Sequence, residues 1–134
     1  MKVLVVTSEA ITAQQLRNAL GGERDPSDAE VMVVAPALAD SGIKFWMTDA
    51  DTAIARAEEV RRASIERLGE EGVSATGDTG EADPYQAIED ALMTFDADRI
   101  VLFTHGGEDQ RYREDLDDGE IAERFGRPVD HAVL

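Results

Sequence analysis

Apolar residues fall along this chain in two patterns that take turns. Val3-Leu4-Val5-Val6 is an unbroken apolar run rich in β-branched residues, the form of a strand buried on both faces. A helical period follows. Thr12 and Gln15 have the spacing of a capping box, and Ile11 and Leu16 that of a hydrophobic staple. Leu16, Ala19 and Leu20 give this helix one apolar side, and Gly21-Gly22 stops it. Glu30 to Pro36 (EVMVVAP) reads as a second buried strand closed by proline, after which residues 37 to 50 show no period but carry Phe45 and Trp46. From Asp51 to Leu68 the spacing predicts a long helix. Ala53, Ala57, Val60, Ser64 and Leu68 share one side, flanked by Ile54 and Ile65, while Glu58, Glu59, Arg61, Arg62 and Glu66 point outwards. Glu58 and Arg62 are placed for an i,i+4 ion pair, and Gly69 and Gly72 end the helix.

Val73 to Thr79 predicts a short, rather polar strand. Asp83-Pro84-Tyr85-Gln86 then opens a helix with Asp at the cap and Pro at the first position. Its buried stripe is Ala87, Ile88, Ala91, Leu92 and Phe95. Arg99 to Thr104 (RIVLFT) is a strong strand, His105 to Asp118 is polar, and Asp118 to Phe125 forms a short helix stopped by Gly126. Pro128 precedes a last strand, Val129 to Leu134. Strict alternation of strand and helix with unalternating apolar strands means an α/β protein: a three-layer, doubly wound, mainly parallel five-stranded sheet, Rossmann-like, in a single domain over 1–134. Any ligand is expected at the carboxyl ends of the first and fourth strands. The last strand is expected at an edge, where a homodimer would form.

Composition narrows the function classes. The 134 residues include no cysteine, which removes disulfides, thiolate metal sites and thiol catalysis, and leans towards a reducing compartment. The opening apolar run is too short for a signal peptide, and no stretch approaches the roughly 20 apolar residues of a membrane helix, so a cytoplasmic protein without membrane attachment is expected. A formal charge of −16 repels phosphate backbones and argues against nucleic-acid binding through a basic face. Lys2 and Lys44 are the only lysines, so nearly all positive charge is arginine.

The segment Asp98 to Gly106 (DRIVLFTHG) joins an acidic residue, an apolar strand, a hydroxyl residue, His and Gly. Together with the proline-opened helix carrying Ile88 and Ala91, and Pro128-Val129 before the closing strand, it resembles the universal stress proteins (the UspA-like domain) over nearly the whole chain. The resemblance implies a fold of the adenine nucleotide alpha hydrolase-like group with strand order 3-2-1-4-5, and a dimer through the last strand. Many members of that family bind ATP through a pattern after the fourth strand: glycine, two residues, glycine, nine residues, glycine, then Ser or Thr. Glycines there let backbone N–H groups approach phosphates closely. In this chain Gly106 and Gly119 match the first and third glycines, but Asp109 and Glu120 stand at the other two positions. Unit charges about 4 Å apart repel by about 4 kcal/mol at an effective dielectric of 20, a large part of the roughly 8 kcal/mol of a micromolar affinity. The family's aspartate at the end of the first strand is replaced by Thr7, followed by Ser8. The resemblance therefore implies a candidate adenosine cleft of Thr7, Ser8, Val34, Ala35, Thr104, His105, Gly106 and Gly119, with ATP or AMP as the ligand class and the phosphate end weakened. The alternative is a true ATP binder in which magnesium bridges carboxylates and phosphates.

Other chemistry is thinner. His105 ends the fourth strand and is read first as a turn histidine bonding backbone, second as a general base or ligand contact. His131 is read as structural or interfacial. Trp46 is read as a plug over the core or an interface before a lid over a planar ligand. The acidic run from Glu114 to Glu120 lacks calcium-loop spacing, and no G-x-G-x-x-G follows a strand. With no carboxylate–histidine or metal constellation visible, an unrelated small enzyme ranks behind a binding module that acts through protein partners.

Overall fold

The computed structural model describes residues 1–21, 28–36, 50–80, 83–105 and 117–134. Its element order is β1 (Lys2–Thr7), α1 (Ala13–Ala19), β2 (Glu30–Pro36), α2 (Ala50–Glu70), β3 (Ser74–Gly80), α3 (Pro84–Leu92), β4 (Arg99–Thr104), α4 (Asp118–Phe125) and β5 (Val129–Val133). The five strands form one sheet in the order β3-β2-β1-β4-β5, and all four pairings are parallel. The expected alternation, strand order and all but the terminal residues of the elements are present.

β1 lies at the middle because its sequence suits no other place. Val3 to Thr7 are buried at five successive positions, so both faces need a covering layer. Odd-numbered Val3 and Val5 pack with α1 and the end of α2, in a cluster that holds Leu16, Val31, Val33, Leu68, Val101 and Phe103. Even-numbered Leu4 and Val6 pack with α3 and α4, against Ala87, Ile88, Ile100, Leu102 and Ile121. The period-two alternation of strand side chains therefore sorts one apolar run into two cores. Burying a Val, Leu or Ile side chain contributes roughly 1.5–3 kcal/mol, so these two cores carry the sheet.

The helix signals hold in detail. Thr12 accepts from the Gln15 backbone N–H and the Gln15 side chain accepts from Thr12 N, closing the capping box, while Ile11 and Leu16 are both fully buried. Asp83 caps α3 with Pro84 in its first turn. Gly126 stops α4 in the left-handed conformation, φ 67°, which costs a glycine little and other residues more. In α2 the core stripe is Ala57, Val60, Ser64 and Leu68. One surface detail differs from expectation. Arg62 pairs with Glu59 at 2.6 Å and Glu66 at 2.9 Å, not with Glu58. The side chain reaches both a turn back and a turn forward, and its two-pronged hydrogen bond to Glu59, then its charge, hold that carboxyl below its ordinary range.

β3 has little apolar residue content because it is an edge strand covered mainly by α2, and because the helix comes very close. A Cβ on Gly77 would lie 2.7 Å from Ile65 Cδ1, 2.8 Å from Arg61 Cγ and 3.0 Å from the Val33 carbonyl oxygen. The glycine is the contact surface there. Replacing Gly77 with Ala is expected to lower stability by about 1–3 kcal/mol through overpacking, read from chemical denaturation. Ile65→Ala should recover part of that loss in the double variant, and simple additivity of the two losses would contradict the close approach.

Candidate functional site

Helices α1 and α2 cover one face and α3 and α4 the other, so the chain leaves β1 and β4 towards opposite sides. Between two such parallel strands a crevice opens at their carboxyl ends. The register pairs Thr7 with Phe103; Ser8 follows just past β1, and Thr104 is the last residue of β4. Both are buried hydroxyl residues. Among the described residues, no buried side-chain nitrogen or oxygen lacks a hydrogen-bond partner, so each hydroxyl at this seam has a defined role.

Thr7 shapes the turn. Its Oγ1 donates to the Glu9 carbonyl oxygen at 2.6 Å and accepts from the Glu9 N–H at 3.2 Å. The side chain thereby mimics a backbone turn and sends the chain out of the sheet. The loop is then fastened to the helical layer. Ile11 N donates to Ser64 Oγ at 3.2 Å, and Ala13 N, at the start of α1, donates to Glu71 Oε2 at 3.0 Å. Ser64 is a polar residue in an apolar stripe for this reason: it satisfies a buried amide 53 positions earlier in the chain.

Beyond Thr7 the structure joins residues that are far apart in sequence. His105 Nδ1 lies 3.4 Å from Ser8 Oγ and its Nε2 lies 3.3 Å from Glu9 Oε1. Beside it, Thr104 Oγ1 lies 2.6 Å from His131 Nε2, and His131 Nδ1 lies 2.7 Å from Asp118 Oδ1. Two hydroxyl–imidazole–carboxylate chains therefore pass through adjacent residues at the end of β4, Thr104 and His105, one reaching towards β1 and the other towards β5 and α4. The expectation that no carboxylate–histidine constellation exists is corrected on both sides. Its members are separated by 97 positions for Ser8 and His105 and by 27 for Thr104 and His131, a distance that only the parallel register closes. For His105 the described side-chain partners are Ser8 and Glu9 rather than backbone alone. His131 lies two residues beyond Val129, on the same face of β5 as that core residue. This parity was the available signal that its ring turns towards α4.

Val34 and Ala35 are buried near the end of β2. Val34 is in register with both Val6 and Asp78, whereas Ala35 pairs with Thr79 and lies beyond the last paired residue of β1. Gly119 lies in the first turn of α4. There Asp117 Oδ1 accepts from Glu120 N at 3.0 Å, and Asp117 N donates to the Tyr85 hydroxyl at 3.4 Å. Asp117, Asp118 and Glu120 thus surround the positive end of this helix with carboxylates of the protein itself. Gly106, Asp109, Phe45 and Trp46 lie outside the described residues. Among the described residues no helix is long and apolar enough to cross a membrane.

No protein-family model matches the chain, and no curated protein matches it in sequence. Solved structures do match. A universal stress protein from Archaeoglobus fulgidus is 17% identical, with a TM-score of 0.64 over 98% of this chain and 97% of that one. A universal stress protein family protein from Arabidopsis thaliana, with AMP bound, is 13% identical, with a TM-score of 0.61 over 99% and 91%. A protein of the universal stress protein family from Burkholderia pseudomallei is 19% identical, with a TM-score of 0.57 over 98% and 94%. The chain has the universal stress protein fold along nearly its full length.

The loop anchoring is open to a direct measurement. Ser64→Ala leaves the buried Ile11 amide without an acceptor, which costs about 1–3 kcal/mol. Denaturation should register that loss, and hydrogen exchange should show faster exchange at Ile11. A variant as stable as the parent, with Ile11 still protected, would remove Ser64 from this role.

Proposed function

We propose that residues 1–134 form a single universal-stress-protein-like domain, a cytoplasmic binding and signalling module whose cleft takes a small adenine-type ligand and binds ATP weakly or not at all. The ligand lies across the carboxyl ends of β1, β2 and β4. Val34 and Ala35 offer backbone to a nucleobase edge, and Ser8, Thr104 and His105 line the middle. Gly106 and Gly119 belong to the weakened phosphate end. The observation that carries this reading is the first turn of α4. The N–H of Glu120 is already bonded to Asp117, and three carboxylates occupy the end of the helix where a triphosphate would need open amides. Support for an adenine-type ligand comes from the fold and from the AMP in the Arabidopsis structure. The module acts through its own dimer and through other proteins rather than through chemistry of its own.

Thermal shift decides between this reading and a magnesium-dependent ATP binder. A ligand at 100 times its dissociation constant adds about 2.7 kcal/mol of stability. AMP is expected to raise the melting temperature more than millimolar ATP does, with or without magnesium. A large magnesium-dependent shift with ATP would reverse the reading of the phosphate end.

The same proposal places a homodimer along β5. That strand ends the sheet and presents Val133 with 69% exposure, an apolar edge of the kind that natural sheets cover. Light scattering at micromolar concentration is expected to give the mass of two chains for the parent protein and of one for Val133→Lys. A monomeric parent would exclude the edge contact.

A further inference from the structure

The chain from Thr104 through His131 to Asp118 has only one consistent arrangement of protons. A carboxylate accepts hydrogen bonds and cannot donate them, so the 2.7 Å contact fixes a proton on His131 Nδ1. In the neutral ring Nε2 is then a bare acceptor, and the Thr104 hydroxyl must donate to it across 2.6 Å. While the ring is neutral, that hydroxyl has its hydrogen committed away from the crevice. When the ring takes up a proton, Nε2 gains an N–H that donates back to Thr104 Oγ1. The hydroxyl hydrogen is displaced and rotates to another acceptor. Thr104 is buried at the carboxyl end of β4, the end at which the crevice lies, so a ligand oxygen seated there would supply an acceptor.

We propose that His131 is a proton-driven switch of hydrogen-bond polarity: its protonation turns Thr104 from a hydroxyl that donates to the imidazole into one that donates to an anionic ligand oxygen in the crevice. The proton comes from solvent and stays on Nε2, and no covalent bond to carbon or phosphorus changes. The ligand half of the inference rests on the nucleotide-type reading of the cleft given above, whereas the switch itself belongs to the free protein.

The described charged and titratable groups around this ring are few. From α4 come Asp118, in contact, with Asp117 and Glu120 in the same turn. From β4 comes Thr104, with His105 next in sequence and paired to Glu9 of the loop after β1. On β5 itself, Asp130 is bonded to Arg99 at 2.9 Å and is turned to the other face. Protonation of His131 thus leaves Asp118 in place, turns a hydrogen bond with one charged partner into an ion pair, and adds one positive charge beside the carboxylates of α4.

Nuclear magnetic resonance on the free protein, between about pH 5 and about pH 8, where histidine changes charge, tests the switch. Neutral His131 is expected as the Nδ1–H tautomer, and the Thr104 methyl resonance should move with the same midpoint as the His131 ring. In His131→Gln, which keeps a polar side chain but cannot titrate, that movement should vanish. A neutral Nε2–H tautomer, or a Thr104 methyl indifferent to the His131 titration, overturns the switch. Calorimetry with AMP tests the consequence. Binding should be about three- to tenfold tighter at the low pH, the worth of one hydrogen bond, beyond whatever pH response remains in His131→Gln and Thr104→Val. That remainder carries the ligand's own protonation and the His105–Glu9 pair. An identical pH response in the parent and both variants overturns the coupling while the nucleotide reading stands. If AMP binds at neither pH, that reading falls and the resonance measurement decides the switch by itself.

Discussion

The seam between β1 and β4 is the constraint on which the rest of this molecule depends. Each strand is a short apolar run that needs cover on both faces, and each sends its helix to the opposite side from the other. Parallel pairing in the register Thr7 with Phe103 satisfies both demands at once. It also sends the two following helices to opposite faces, the arrangement that opens a crevice at the carboxyl ends of doubly wound sheets. Burial of the sheet and the presence of a crevice are thus one event. The hydroxyl residues at these strand ends are placed by that seam: Thr7 turns the chain away from it, and Ser8 and Thr104 are the first hydroxyls beyond it.

Charge is the second organising factor. A formal charge of −16 would be destabilising if spread without regard to position. Much of it stands where it is tolerated. Carboxylates gather at the amino end of α4, where the helix dipole favours them, and on the outer face of α2, where Arg62 holds two of them. Glu71 accepts from the amide that starts α1. The same placement limits function. Helix amino ends are the usual seats of phosphate in doubly wound proteins, and those of α1, α3 and α4 are already served by the protein's own side chains.

The two histidines reconcile a polar crevice with a dry core. A buried hydroxyl without a partner costs free energy, and a carboxylate at the rim needs donors. An imidazole between them meets both needs, because one of its nitrogens donates to the carboxylate while the other accepts from the hydroxyl. His131 links the edge strand β5, the start of α4 and the end of β4 in this way. One side chain therefore ties a strand edge, a helix start and the end of β4 together.

Much of this was legible without coordinates. The continuous runs in β1, β2 and β4, the capping box at Thr12 and Gln15, the Asp83-Pro84 opening and the Gly126 stop are local signals. They act within a turn or two of backbone, so the sequence alone determined the elements, their order and the class of sheet. The need for glycine at Gly77 was not legible, because the helix side chains that exclude a Cβ there belong to Arg61 and Ile65, in the preceding element. The choice of Glu59 and Glu66 over Glu58 by Arg62 is a matter of side-chain rotamer, which spacing does not fix. The site was half legible. Thr7, Ser8, Thr104 and His105 stood out because strand ends are readable. Glu9, Ser64, Asp118 and His131 did not, since each acquires its role from a partner 13 to 96 positions away. Local sequence decides where strands end; only the parallel register and the docking of α2 and α4 decide which side chains meet there, because hydrogen bonds between distant residues form only after apolar burial has fixed the distances between them.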